Sequence, residues 1–265
     1  QKTKRNASKI TLVLVRNLCR SIGGRLGINP DYRNILYGFY HSNTPLINDI
    51  DTLIAEIEKP IMYGRLKKIK DEVGFKKFPL ISQYYYPESF KVTDVCEALC
   101  AEGNEVTVLT GLPNYPTGIV PDEYKGKNST HADEVINGVR VIRCYERGRG
   151  KGAVNLALNY ASFYLSAMKM VKKLDRDFDI VFSYQLSPVF MALPARWYKL
   201  KRHVPMFLYC SDLWPESLKV YINGENNPVF KWVKGVSRKV YDAADRIATQ
   251  SDVFLEYLPE EHEVP

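Results

Sequence analysis

The stretch FPLISQYYYPESFKVTDVCEALCAEGNEVTVLTG, residues 78–111, decides the fold. PLISQYYYP, residues 79–87, reads as a strand. VTDVCEALCAEGN, residues 92–104, reads as a helix closed by Gly103, and EVTVLTG as a second strand. The same alternation continues downstream. ADEVINGVRVIRCY sets Asn137-Gly138 between β-rich runs, a two-residue hairpin signal. NLALNYASFYLSAMKMVKKL is a long amphipathic helix, DIVFSYQ a strand and VFMALPARWYKLKR a helix. PMFLYCSD is a strand, PVFKWVKGVSRKVYDAADR a helix and RIATQ a short last strand. Strands alternating with helices predict an α/β domain built on a Rossmann-like parallel sheet. Ligands of such sheets gather at the carboxyl ends of the strands.

Upstream of Phe78 the rhythm is different. ITLVLVRNLCRSIGGRL and a stretch from about Thr44 to Val73, broken at Pro60, carry helical periodicity. Residues 1–77 are therefore expected to be a basic, mostly helical extension, and residues 78–265 the α/β domain. The charge divides at the same place. Residues 1–78 hold 15 Lys and Arg against 7 Asp and Glu, whereas the other 187 hold 22 against 23. The basic segment suits an anionic membrane surface or nucleic acid, with a solvated basic helix as the plainer alternative. No apolar run approaches the roughly 20 residues that span a bilayer. The basic start QKTKRNASK is followed by an apolar stretch broken at Arg16, without a small-residue cleavage site, so no signal peptide is expected. Five scattered cysteines without a CxxC fit a reducing cytoplasm. His41, His131, His203 and His262 are isolated, expected on the surface, and no metal site is expected.

Four strand-end loops carry candidate chemistry. In YYYPESFKVTD, Pro87, Glu88 and Ser89 suit the first turn of a helix whose N–H groups would receive a phosphate, or simply an ordinary capped helix. No GxGxxG is present, which counts against a dinucleotide oxidoreductase. TGLPNYPTG is a stiff loop presenting Asn114 and Tyr115. SYQLSP offers Gln185 and Ser187. SDLWPES places Asp212 and Glu216 beside Trp214, whose flat face would stack on a sugar ring. Convergence of polar residues from four loops favours a ligand site over four unrelated structural loops. Arg147, Arg149 and Lys151 in ERGRGKG form a cationic patch suited to membrane or lipid phosphate, or a solvated basic loop.

The strings ISQYYYPESFKVTDVCEAL, GNEVTVLTGLPNYPTG, INGVRVIR, FDIVFSYQLSPVFMALPA and LYCSDLWPESL resemble the N-terminal domain of family-4 retaining glycosyltransferases. The branch they resemble most narrowly is the one found in bacterial O-antigen and capsule gene clusters. The resemblance covers about residues 78–258. It implies the acceptor-side half of a GT-B fold and no cofactor. A nucleotide-diphosphate sugar would be the donor, bound mainly by a second Rossmann-like domain. A saccharide or polyprenyl-diphosphate-linked acceptor would be the partner, with no nucleic acid. By position it implies Asp212 near the reacting sugar carbon and Lys91, with the Glu88-Ser89 loop, toward the donor diphosphate. Asn114, Tyr115, Gln185, Trp214 and Glu216 would face the acceptor. Glu88-Ser89 stands where the family usually has Gly-Gly, a departure that weakens close backbone approach to phosphate. The family's linker would begin near Pro265, so transfer is expected only when a donor-binding domain is joined to this chain. A non-catalytic module that binds acceptor, membrane or partner is the alternative. The expected location is cytoplasmic, peripheral on the inner face of the plasma membrane.

Overall fold

The computed structural model describes residues 62–64, 67–72, 74–126, 130–220, 222, 225–249, 254 and 257–258. Most of the expected basic extension lies outside the described residues; 62–64 and 67–72 within it are helical. The chain then runs β1 (Lys77–Ile81), α1 (Lys91–Ala101), β2 (Glu105–Thr110), β3 (Asp133–Ile136), β4 (Val139–Arg143), α2 (Ala153–Met170), β5 (Val181–Gln185), α3 (Leu193–Arg202), β6 (Met206–Cys210), α4 (Pro228–Tyr241) and β7 (Arg246–Thr249). The seven strands form one sheet in the order β3-β4-β2-β1-β5-β6-β7. All neighbours pair in parallel except β3, which runs antiparallel to β4 at the edge. The Rossmann-like α/β expectation is met.

Local sequence explains the joints. Asn137 and Gly138 take φ of 49° and 86°, which a two-residue β3–β4 turn requires, and Ile136 pairs with Val139 across it. Gly103, at φ 86°, turns the chain out of α1, and its N–H reaches the Cys100 carbonyl at 2.9 Å. Pro228 opens α4, and the Asn227 side chain accepts from the Val229 N–H at 2.9 Å.

Both faces of the sheet are buried. β5 and β6 have no exposed position, as expected of parallel strands covered on both sides. Ile81, Leu109, Val181 and Leu208 point to one face, where Phe163 and Ala167 of α2, Tyr198 of α3 and Tyr241 of α4 cover them. Their neighbours Leu80, Val108, Phe182 and Phe207 point to the other, covered in part by Val92, Val95 and Leu99 of α1. Met62 and Phe75 belong to this second core, so packing begins upstream of the change in sequence rhythm at Phe78.

Two boundaries differ from expectation. β1 ends at Ile81 instead of continuing toward Pro87; beyond it the Ser82 N–H still donates to the Leu109 carbonyl at 3.2 Å and the Gln83 carbonyl accepts from the Gly111 N–H at 3.0 Å. The Ser82 hydroxyl folds back on the Tyr84 carbonyl at 2.9 Å. α1 starts at Lys91, so Glu88 and Ser89 precede the first turn, and no side chain caps the helix.

Phe163 is the largest of the fully buried side chains that α2 packs on the sheet. Phe163→Ala should cost about 3–5 kcal/mol. This is read as a lower urea midpoint with near-native far-UV circular dichroism in water; an unchanged midpoint would mean that α2 does not seat through Phe163.

Candidate functional site

The strand order reverses at β1, whose neighbours β2 and β5 lie on opposite sides. In open α/β sheets the crevice beyond the carboxyl ends of such strands is where ligands bind. The candidate residues fall into two hydrogen-bonded clusters at strand ends on either side of this point.

The first cluster joins the loops after β1, β2 and β4. Its centre is Glu146, three residues beyond β4 and only 1% exposed. Glu146 Oε1 accepts from three amides: Gln83 Nε2 at 2.8 Å, Asn114 Nδ2 at 3.0 Å and Asn159 Nδ2 at 2.6 Å. Glu146 Oε2 is buried without a hydrogen-bond partner, as is Gln83 Oε1. Burial, with Glu88 nearby, pushes the Glu146 carboxyl up to about 8 against the pull of the three amides. Asn114 ties the cluster together. Its Oδ1 accepts from the Arg149 N–H at 3.2 Å, and its own N–H donates to Glu88 Oε1 at 2.8 Å. Glu88 Oε1 also accepts from the Tyr115 N–H at 2.6 Å. Burial raises the Glu88 carboxyl, opposed by those backbone donors.

Glu88 is thus directed at the Asn114-Tyr115 backbone, and a donor diphosphate would have to be met by other groups of its loop; Ser89 is exposed. Lys91 sits at the start of α1. The exposed Tyr115 ring lies under the Arg149 guanidinium, 5.8 Å from carbon to centroid. Arg147 points to Asn155 Oδ1 at 3.1 Å, and Lys151 is exposed. The three cations expected to act as one patch therefore divide, Arg149 turning toward the Tyr115 loop. Beside this cluster lies a cleft of about 800 Å³, lined by Leu112, Val120, Tyr124, His131, Tyr145 and Arg147, and reaching Glu146.

The second cluster joins the loops after β5 and β6. Asp212 Oδ2 accepts from Trp214 Nε1 at 3.1 Å and from the Ser187 hydroxyl, and Oδ1 accepts from the Ser217 hydroxyl. Gln185 is fully buried and donates to the Leu186 and Asp212 carbonyls at 2.8 and 2.9 Å, bracing the two strand ends. Trp214 is 7% exposed and packs in the core, so its ring is not offered as a stacking platform, contrary to the reading from sequence. Its indole N–H is what the loop uses. Glu216 pairs with Lys219 and accepts from the Tyr257 hydroxyl.

His131 also departs from expectation: it is half-buried, 2.7 Å from Glu134 and packed on Tyr124. His203 is exposed and closes α3 with a φ of 58°; His41 and His262 lie outside the described residues. Among the described residues, no group of three or more His, Cys, Asp or Glu is placed to hold a metal ion.

Residues 91–265 match the glycosyl transferase 4-like domain, and the chain belongs to that family. Solved structures that the chain matches include CalG4, the calicheamicin glycosyltransferase, at 11% identity and a TM-score of 0.31 over 71% of this chain and 41% of that one. Another is Arabidopsis thaliana UGT89C1 complexed with UDP, at 9% identity and a TM-score of 0.38 over 70% and 48%. The chain spans less than half the length of either.

Glu146 and its buried neighbours Gln83 and Asn159 were not singled out in the sequence, where Glu146 reads as one more charge in a basic loop. The usable signal was a carboxylate directly following the β-rich run VRVIRCY.

Two outcomes test the first cluster. The folded chain holds the Glu146 proton between the ordinary 4.5 and about 8, where the unfolded chain has released it. Stability should therefore fall as pH rises across that window. Glu146→Gln, neutral throughout, should flatten this fall in melting temperature; an equal slope in both proteins would remove Glu146 as its source. Gly111 leaves no room for a side chain, since an added Cβ would lie 1.7 Å from Glu146 Oε2 and 2.9 Å from the Gln83 carbonyl oxygen. Gly111→Ala should destabilise by about 1–3 kcal/mol, measured by urea unfolding, and retention of wild-type stability would show that the Glu146 side chain can move aside.

Proposed function

We propose that this chain is the acceptor-side half of a retaining GT-B glycosyltransferase that acts together with a second, donor-binding domain. The observation that carries the proposal is the pair of polar clusters at the carboxyl strand ends beside the β1 switch point, in a chain of the glycosyl transferase 4-like family. The donor is a nucleotide-diphosphate sugar, approached by Lys91 and the loop before α1. The acceptor is a saccharide or a polyprenyl-diphosphate-linked saccharide of bacterial surface polysaccharide synthesis, and no cofactor takes part. The 800 Å³ cleft suits such an acceptor: the exposed Tyr145 offers an aromatic face, Leu112 and Val120 an apolar wall, and Arg147 a cation for phosphate. Arg149 over Tyr115 would place a second cation at its approach. Peripheral contact with the inner face of the plasma membrane would deliver a lipid-linked acceptor.

Asp212 is the residue we place nearest the reacting sugar carbon. Three donors fix its carboxylate in one orientation, as a group that must stabilise developing positive charge requires. The hydroxyls of Ser187 and Ser217 can reverse to accept from an amide, so Asp212→Asn should fold normally. In the enzyme carrying both domains this variant should lose roughly a hundredfold in turnover, the size of one strong electrostatic contact, with an unchanged melting temperature. Near-normal turnover would reduce Asp212 to a brace between the loops after β5 and β6.

A further inference from the structure

The helix α2, Ala153–Met170, is apolar on both sides. Phe163 and Ala167 face the sheet, as they must for the domain to fold. The other side carries Val154, Leu158, Ala161 and Leu165, spaced by four, three and four residues and therefore aligned in one stripe. Val154 is 74% exposed, Leu158 43% and Leu165 65%. Exposed leucines scattered singly need no explanation, but a continuous row along one helix marks a surface with a partner. The row is about 16 Å long at 1.5 Å per residue.

Charge indicates the partner. The helix contains no Asp or Glu, and its first cation is Lys169, one turn beyond Leu165. Arg147 and Lys151 precede the stripe, while Lys172 and Lys173 follow it. An apolar row with cations at both ends and no acid between them is complementary to an anionic bilayer, where leucines enter the acyl boundary and cations stay at the headgroups. A second copy fits poorly. Antiparallel pairing about a two-fold axis would set Arg147 and Lys151 of one copy beside Lys169 and Lys172 of the other, a contact between like charges.

From this arrangement we infer that the outer face of α2 is the surface by which this domain docks on an anionic lipid bilayer, with Val154, Leu158 and Leu165 entering the membrane. The inference names a face for the peripheral membrane contact proposed above, which the basic N-terminal segment alone would also allow. It fails separately from that reading.

The test is co-sedimentation of the whole chain with phosphatidylcholine vesicles, with and without phosphatidylserine. The wild type should sediment only with the serine lipid. The double variant L158E/L165E changes exposed positions, so it should keep its circular dichroism spectrum and lose at least about tenfold in partitioning, the scale of one leucine's burial. Sedimentation equal to the wild type would overturn the inference and leave membrane contact to the basic segment. A second measurement uses Leu165→Cys, labelled by a water-soluble maleimide and followed on the peptide that contains it. Labelling should be fast without lipid and slowed by serine-lipid vesicles. Slow labelling without lipid would show the stripe already covered by this chain or by a second copy, and labelling that stays fast with vesicles would show that it does not enter them. Either result overturns the inference.

Discussion

The end of β1 is the constraint on which the rest of the structure depends. Leu80 and Ile81 pair with β2 on one side and with β5 on the other, so the chain leaving Ile81 emerges between two diverging half-sheets with its polar groups still buried. Those groups need partners, and the neighbouring loops supply them. The Gln83 carbonyl accepts from the Gly111 N–H at 3.0 Å and the Thr110 hydroxyl at 3.1 Å, which fixes where the loop after β2 begins. The Gln83 side chain donates to Glu146 and Asn159, which binds the same point to the loop after β4 and to α2. Because leaving any of these groups unpaired in the interior costs free energy, the loops are held as one unit.

Glu146 shows how this buried network relates to the candidate site. A carboxyl group removed from water is stable there only if neutral or well supplied with donors, and Glu146 has both in part: a raised pKa and three amides on one oxygen. Its other oxygen has no partner. The arrangement is costly for stability, and costs of this kind concentrate where geometry serves a ligand. Asn114 links it to the surface, passing the position of Glu146 to Tyr115 and Arg149 through the Glu88 and Arg149 contacts. On the other side of the switch point, Asp212 and Gln185 brace two loops by the same means, with side chains satisfying buried backbone and hydroxyl groups.

The architecture was legible in the sequence because its causes are local. A period of two in EVTVL, apolar residues at helical spacing in VTDVCEAL and an Asn-Gly turn determine element type and order without reference to distant residues. The four strand-end loops were legible as well, since polar residues following an apolar strand must lie at the sheet's edge. What each side chain does in those loops was decided by residues far away in the chain. Trp214 could be read as a stacking face until Ser187 and Asp212 were seen to hold its indole N–H within the core. Glu88 could be read as a first-turn residue until the Asn114 and Tyr115 amides, 26 and 27 positions away, were seen to draw its carboxylate inward. Glu146 was missed altogether because burial depends on Asn159 of α2 and Gln83 beyond β1, and no periodicity records a contact 63 residues apart. By itself the sequence determined a parallel α/β domain and the loops at the carboxyl edge of its sheet, through short-range pattern and turn chemistry. Only tertiary structure decided which polar groups are buried as braces and which are left facing solvent, because desolvation and hydrogen-bond satisfaction are set by long-range packing.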